Sequence, residues 1–235
     1  MPQKPRDCTA EVAEVRWLTP DIIEVDLRVV DPVDFRFEAG QWVSVPFGPK
    51  NVRAWSMASS PTRKGFMTLA VDVTPGGIGS QWLRALKAGD RVGFKGPTGG
   101  FVFNRADPRR PLFVGEEIGI VPIRSILLHL YETGYGRPNG LIAWARDPSW
   151  LLYDSLFRSL ARRYPSFAYF PVLREPPAGW RGEKGEVAEV VERLVHSVDR
   201  LVVYVCGGGE TIRRVREVLV RKGMDRKSVR WEKFW

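Results

Sequence analysis

The feature that most limits how this chain can fold is a change of texture across Arg105-Ala106-Asp107-Pro108-Arg109-Arg110-Pro111. Ahead of it, short segments alternate in polarity; Ile23-Glu24-Val25-Asp26-Leu27-Arg28-Val29 places apolar and charged residues with period two, the mark of a half-buried strand. Residues 42–47, 52–58, 66–73 and 91–95 read the same way. Pro20, Pro32, Gly40, Pro49, Pro61, Gly89 and Gly96-Pro97 break them at intervals suited to an antiparallel barrel or sandwich. One short helix, starting near Gly79 and carrying Trp82, Leu83 and Leu86, interrupts this pattern.

Beyond the boundary, apolar runs at 111–114, 141–145, 167–172 and 201–205 alternate with helical periods at about 119–133, 150–163, 185–196 and 210–222. A last strand over 229–235 would close the sheet. The expected architecture is therefore two-domain: an N-terminal antiparallel β-barrel over residues 1–106, followed by an α/β Rossmann-like domain with a parallel sheet over 107–235.

Composition narrows the chemistry. Cys8 and Cys206 are the only two cysteines of 235 residues, which excludes a disulfide framework, a CxxC metal site and a four-cysteine iron–sulfur cluster within this chain. With only two histidines, His129 and His196, no metal site is expected. No apolar stretch approaches membrane-spanning length and the start lacks a secretory core, so a cytoplasmic protein with no membrane partner is expected. The net charge of +9 favours an anionic partner or ligand. It is spread in doublets such as Arg162-Arg163 and Arg213-Arg214, with no basic arm or helix-turn-helix to suggest nucleic acid.

Two segments carry the chemistry of the front half. Arg53-Ala54-Trp55-Ser56 offers a cation, a large flat ring and a hydroxyl within one strand. Gly76-Gly77-Ile78-Gly79-Ser80 then offers a glycine-rich turn opening into a helix, where main-chain N–H groups collect an anion. Together they suit a flavin dinucleotide.

In this order and at this spacing, these segments resemble the ferredoxin–NADP reductase superfamily, and the likeness runs over almost the whole chain. The resemblance implies that Arg53 pairs with the flavin diphosphate, Trp55 lies against the isoalloxazine and Ser56 hydrogen-bonds its reactive nitrogen. It also implies that Ala54, Val71 and Val73 flank the flavin, and that Gly76, Gly77, Ile78, Gly79 and Ser80 form the phosphate turn, so that FAD is expected rather than FMN. Gly96-Pro97-Thr98-Gly99-Gly100-Phe101 is similar to the family's barrel-closing segment.

In the back half, Leu112-Phe113-Val114-Gly115-Glu116-Glu117-Ile118-Gly119 stands where the family has its nicotinamide-nucleotide loop, implying Gly115, Ile118 and Gly119 as cofactor contacts. Relatives carry glycines where this chain has Glu116 and Glu117. Two carboxylates there repel an anionic cofactor unless they point away or pair with lysine or arginine. Arg146 and Arg174 are implied as ligands of the ribose or adenosine phosphate, with Leu173, where NADPH-selective relatives often carry serine, leaning slightly toward NADH or mixed use. Val205-Cys206-Gly207 matches the segment beside the nicotinamide, with Cys206 as a contact and positioning residue, and Phe234 or Trp235 as a covering aromatic.

The implied activity takes a hydride from NADH or NADPH to FAD and passes electrons to a separate acceptor, such as an acidic ferredoxin. Two alternatives stand beside it: a flavin reductase that releases free flavin, and an electron-transfer subunit of a larger enzyme.

Overall fold

A computed structural model of the chain describes residues 4–48 and 50–234. The chain divides into two compact units; one runs to Phe103 and includes Val121–Gly134, and the other comprises Asn104–Ile120 and the chain from Tyr135 onward.

The first unit is built on an antiparallel sheet of β1 (Arg6–Thr19), β2 (Ile22–Asp31), β3 (Trp42–Pro46), β4 (Val52–Ser56), β5 (Phe66–Asp72) and β6 (Arg91–Thr98), in the order β4-β3-β6-β1-β2-β5. The two ends of that order meet through a Met57–Leu69 bridge and an Ala58 N–H to Thr68 carbonyl bond of 2.7 Å, which closes the sheet into the expected barrel. Its interior is filled from alternate strand positions, among them Ala10, Val12, Val25, Leu27, Val43, Val45, Met67, Leu69 and Phe94. Helix α1 (Ile78–Ala85) follows β5 and buries Leu83 in the same core.

β1 is an addition to the sequence reading. Its inward positions Cys8, Ala10 and Val12 are small, and a register shift between Val12 and Glu14 breaks the alternation, so the pattern fades along the strand. Helix α2 (Ile120–Glu132) groups from Val121 onward with the barrel unit. Arg124 Nη1 donates to the Ala58 carbonyl at 2.6 Å and Ser125 Oγ to the Ser59 carbonyl at 2.6 Å, bonds that no periodicity reveals.

One polar network crosses the barrel wall. Arg16 donates to Glu24 and Asp26 at 2.8 Å each, and Glu24 is only 4% exposed. Burial acts to raise the Asp26 carboxyl, but hydrogen bonds from Arg16 and Thr68 hold it below the ordinary aspartate range. Arg16→Ala strands a buried carboxylate and is expected to cost about 2 kcal/mol at neutral pH, less than for a fully enclosed pair because Arg16 is 35% exposed. A folded carboxyl with a lowered pKa contributes stability above its unfolded pKa and loses it as pH falls. The gap between wild type and variant in urea unfolding should therefore narrow below about pH 4; a gap constant down to pH 2.5 refutes the assignment.

The second unit is an all-parallel sheet of β7 (Arg110–Glu116), β8 (Asn139–Ala145), β9 (Phe167–Leu173), β10 (Glu183–Lys184), β11 (Leu201–Gly207) and β12 (Val229–Lys233), in the order β10-β9-β8-β7-β11-β12. Helices α3 (Asp154–Arg163), α4 (Val187–Leu194) and α5 (Gly209–Arg221) connect the strands. On α5, Ile212, Val215, Val218 and Leu219 form the buried stripe expected of an amphipathic helix. Strand order reverses at β7, whose neighbours β8 and β11 lead the chain in opposite directions. The carboxyl ends of β7 and β11 therefore form a topological switch point, where open α/β sheets bind ligands. Among the described residues, no helix is long and apolar enough to cross a membrane, and no group of three or more His, Cys, Asp or Glu is placed to hold a metal ion.

Candidate functional site

In the barrel unit, a cavity of about 270 Å³ is lined by Arg53, Trp55, Val71, Gly77, Ile78, Gly79 and Ser80, together with Phe47, Asn51, Asp72, Pro75 and Leu83. Strand alternation puts Arg53 and Trp55 of β4 on the cavity side and turns Ala54 and Ser56 to the other face. Ser56 is 3% exposed, and Val73 is fully buried at the end of β5. Gly76 supplies the turn before α1 with φ +64°, a left-handed conformation that glycine adopts without strain.

The cavity has the chemistry of an anion cradle. Helix α1 begins at Gly77 with no side-chain cap and no acidic residue in its first turn, leaving main-chain N–H groups and the positive end of the helix for an anion. The exposed Arg53 guanidinium makes one described hydrogen bond, to the neighbouring Val52 carbonyl, and has no carboxylate partner among the described residues. The one acidic side chain of the lining, Asp72, accepts from the Thr74 N–H and hydroxyl within its own turn.

Trp55 stacks on Phe47 and Trp82 with ring centroids 6.0 Å from each. Phe47 also packs on the first turn of α1, where a Cβ at Gly79 would lie 2.9 Å from its Cζ. Phe47 and Trp82 brace the ring that the motif supplies, and neither belongs to the sequence motifs of the site. Trp82 lies one helical turn past Gly79, but Phe47 comes from a different strand connection and carries no local signal.

In the second unit, Gly115 sits in β7 paired with Cys206 of β11 and Ala143 of β8. The chain then turns through Glu116 and Glu117. Gly119 packs so closely on β11 that a Cβ would lie 2.4 Å from the Cys206 carbonyl oxygen. Ile118 is buried, and Phe234 is tied to this end of the sheet by its N–H to the Gly207 carbonyl at 3.0 Å. Trp235 lies outside the described residues. Cys206 is fully buried, and burial first, then Glu232 and Glu116, push its thiol well above the usual range.

Both glutamates are engaged. Glu116 Oε2 accepts the Gly208 N–H at 2.6 Å and its Oε1 the Thr211 hydroxyl at 2.7 Å, so it caps α5 from a distant part of the chain. Glu117, in a left-handed conformation at φ +48°, accepts Arg146 Nε at 2.6 Å and Nη2 at 2.5 Å. Arg146 also lies 4.1 Å over the Trp150 ring. Arg174 is paired with Glu186 at 2.9 Å and lies 4.7 Å over Trp144.

Residues 9–103 match the model of the oxidoreductase FAD-binding domain and residues 114–217 that of the oxidoreductase NAD-binding domain. The chain is 30% identical over 235 residues to ferredoxin–NADP reductase B of Sorangium cellulosum, covering 96% of each. It is likewise 30% identical over 234 residues to the phenol hydroxylase P5 protein of Acinetobacter pittii, covering 97% of this chain and just under two thirds, 66%, of that relative. The crystal structure of an Amycolatopsis cytochrome P450 reductase superposes with a TM-score of 0.89 at 28% identity, over 98% of this chain and 70% of the other.

Proposed function

Because the chain belongs to the ferredoxin–NADP reductase superfamily, we propose that it is a cytoplasmic FAD-dependent reductase that draws on NADH or NADPH and serves a separate electron acceptor. In this reading residues 1–106 hold the flavin and residues 107–235 the nicotinamide dinucleotide. Bound flavin supplies the redox chemistry, taking a hydride and giving up electrons.

The protein's own part is alignment and charge. Arg53 and the N–H groups opening α1 hold the diphosphate, and Trp55, braced by Phe47 and Trp82, fixes the plane of the ring system. Gly119 and Cys206 set the floor of the nicotinamide half by close packing. Excess positive charge draws an acidic carrier such as a ferredoxin, or an acidic oxygenase component. The single observation that carries the reading is the barrel cavity where a guanidinium with no carboxylate partner among the described residues, uncapped helix amides and a braced indole converge.

The test is an absorption spectrum of the purified protein after gel filtration with added FAD, followed by anaerobic NADH and, separately, NADPH. A retained flavin spectrum that bleaches with a nicotinamide is expected. Flavin that elutes free from the protein, or retained flavin that neither nucleotide bleaches, overturns the proposal.

A further inference from the structure

At the carboxyl end of the parallel sheet, two guanidiniums that could clamp phosphate are already paired with the protein's own carboxylates. Arg146 and Arg174 are the two guanidiniums that the family resemblance assigns to the dinucleotide. Each is held between a glutamate and an indole, Arg146 by Glu117 and Trp150, Arg174 by Glu186 and Trp144. The Gly208 N–H, which opens α5 and would otherwise be offered to an anion, is bonded to Glu116.

The two ion pairs differ in how firmly they hold. The Glu117 side chain is only 8% exposed, and its grip on Arg146 is bidentate and charge-assisted, so withdrawing the arginine leaves a buried carboxylate unpaired. The Arg174–Glu186 pair is 48% and 40% exposed, so solvent screens it and it opens at little cost. Three carboxylates and two guanidiniums meet in these contacts, with Glu232 and Lys233 close by on β12, in a chain whose net charge is +9.

We propose that Glu116 and Glu117 make this an NADH site that excludes NADPH, with Glu117 the specificity determinant through its hold on Arg146. The inference rests on the reading of residues 107–235 as the nicotinamide half. The two dinucleotides differ by one phosphate, which adds close to two negative charges near neutral pH. Where Arg146 is locked to a buried carboxylate and Glu116 adds a further negative charge, that addition is poorly offset, so the discrimination comes from repulsion of the wrong ligand.

Calorimetry on the flavin-loaded protein with ADP-ribose and 2′-phospho-ADP-ribose tests this. Neither probe carries a nicotinamide, so no electrons move and the heat reports binding alone. Wild type should bind ADP-ribose about 30-fold more tightly than its 2′-phosphorylated form. Glu117→Gly frees Arg146 and relieves the left-handed backbone; it should strengthen binding of the phosphorylated probe about tenfold and of ADP-ribose less than threefold. Glu186→Gln, at an exposed pair that folding does not require, should shift the ratio in the same direction by a smaller factor.

Equal or tighter binding of the phosphorylated probe by wild type overturns the inference while leaving the nicotinamide reading in place. So does a ratio that neither variant moves. Absence of binding by either probe in all three proteins overturns the inference and that reading together.

Discussion

Arg53→Ala is expected to weaken FAD binding about 100-fold, while leaving riboflavin binding within about threefold of wild type. The guanidinium is exposed and has no carboxylate partner among the described residues, so removing it breaks no buried pair and costs the fold little. A guanidinium bonded to a diphosphate is charge-assisted on both sides, and its loss is worth about 2–3 kcal/mol. Riboflavin has no diphosphate and keeps the contact with Trp55. The two ligands therefore separate a phosphate role from general damage to the barrel. Titration of the flavin-free protein by fluorescence quenching supplies both constants, and repeating it at several salt concentrations should show a shallower salt dependence for the variant. If FAD and riboflavin weaken by the same factor, Arg53 is not the diphosphate ligand.

The asymmetry between Arg53 and its counterparts in the other unit explains what the sequence could and could not reveal. Arg53, Trp55 and the turn from Gly76 to Ser80 were legible because each acts through its own residue type and local backbone, and short range fixes both. Five strands of the parallel sheet and its helices were legible for the same reason, to within a few residues at each end, whereas the two-residue β10 is too short to show a pattern. Partners drawn from far along the chain were not legible. Glu116 accepts the Gly208 N–H at a helix start 92 residues later, and Glu117 reaches Arg146 across 29. Spacing could raise the need for a partner for these carboxylates, but only the assembled switch point identifies it. Helix α2 makes the same point, since its periodicity is that of any amphipathic helix while its hydrogen bonds to Ala58 and Ser59 decide which unit it joins.

The largest effect on the nicotinamide half should come from a single methyl group at Gly119. A Cβ there would stand 2.4 Å from the Cys206 carbonyl oxygen, 2.7 Å from its carbon and 3.0 Å from the Gly207 nitrogen. All three are backbone atoms of a strand hydrogen-bonded on both sides, to β7 and β12, so no side chain can swing away to make room. In Gly119→Ala the loop must lift from β11, and that movement pulls Glu116 from Gly208 and Thr211 and Glu117 from Arg146. The expected cost is about 3 kcal/mol of stability, at the upper end for an overpacked position because the obstruction is rigid. Function should divide cleanly. Dithionite should still bleach the bound flavin, and the FAD constant should stay within about threefold, whereas reduction by NADH should slow about 100-fold. Gly136→Ala is the control: nothing lies within 4 Å of a Cβ at that position, its backbone is not left-handed and it lies in neither binding site, so both rates should be nearly unchanged. Stopped-flow reduction and thermal unfolding of the two variants decide the matter. A Gly119→Ala protein that melts with wild type and is reduced by NADH at the wild-type rate contradicts the close packing of this loop on β11 and the role drawn from it.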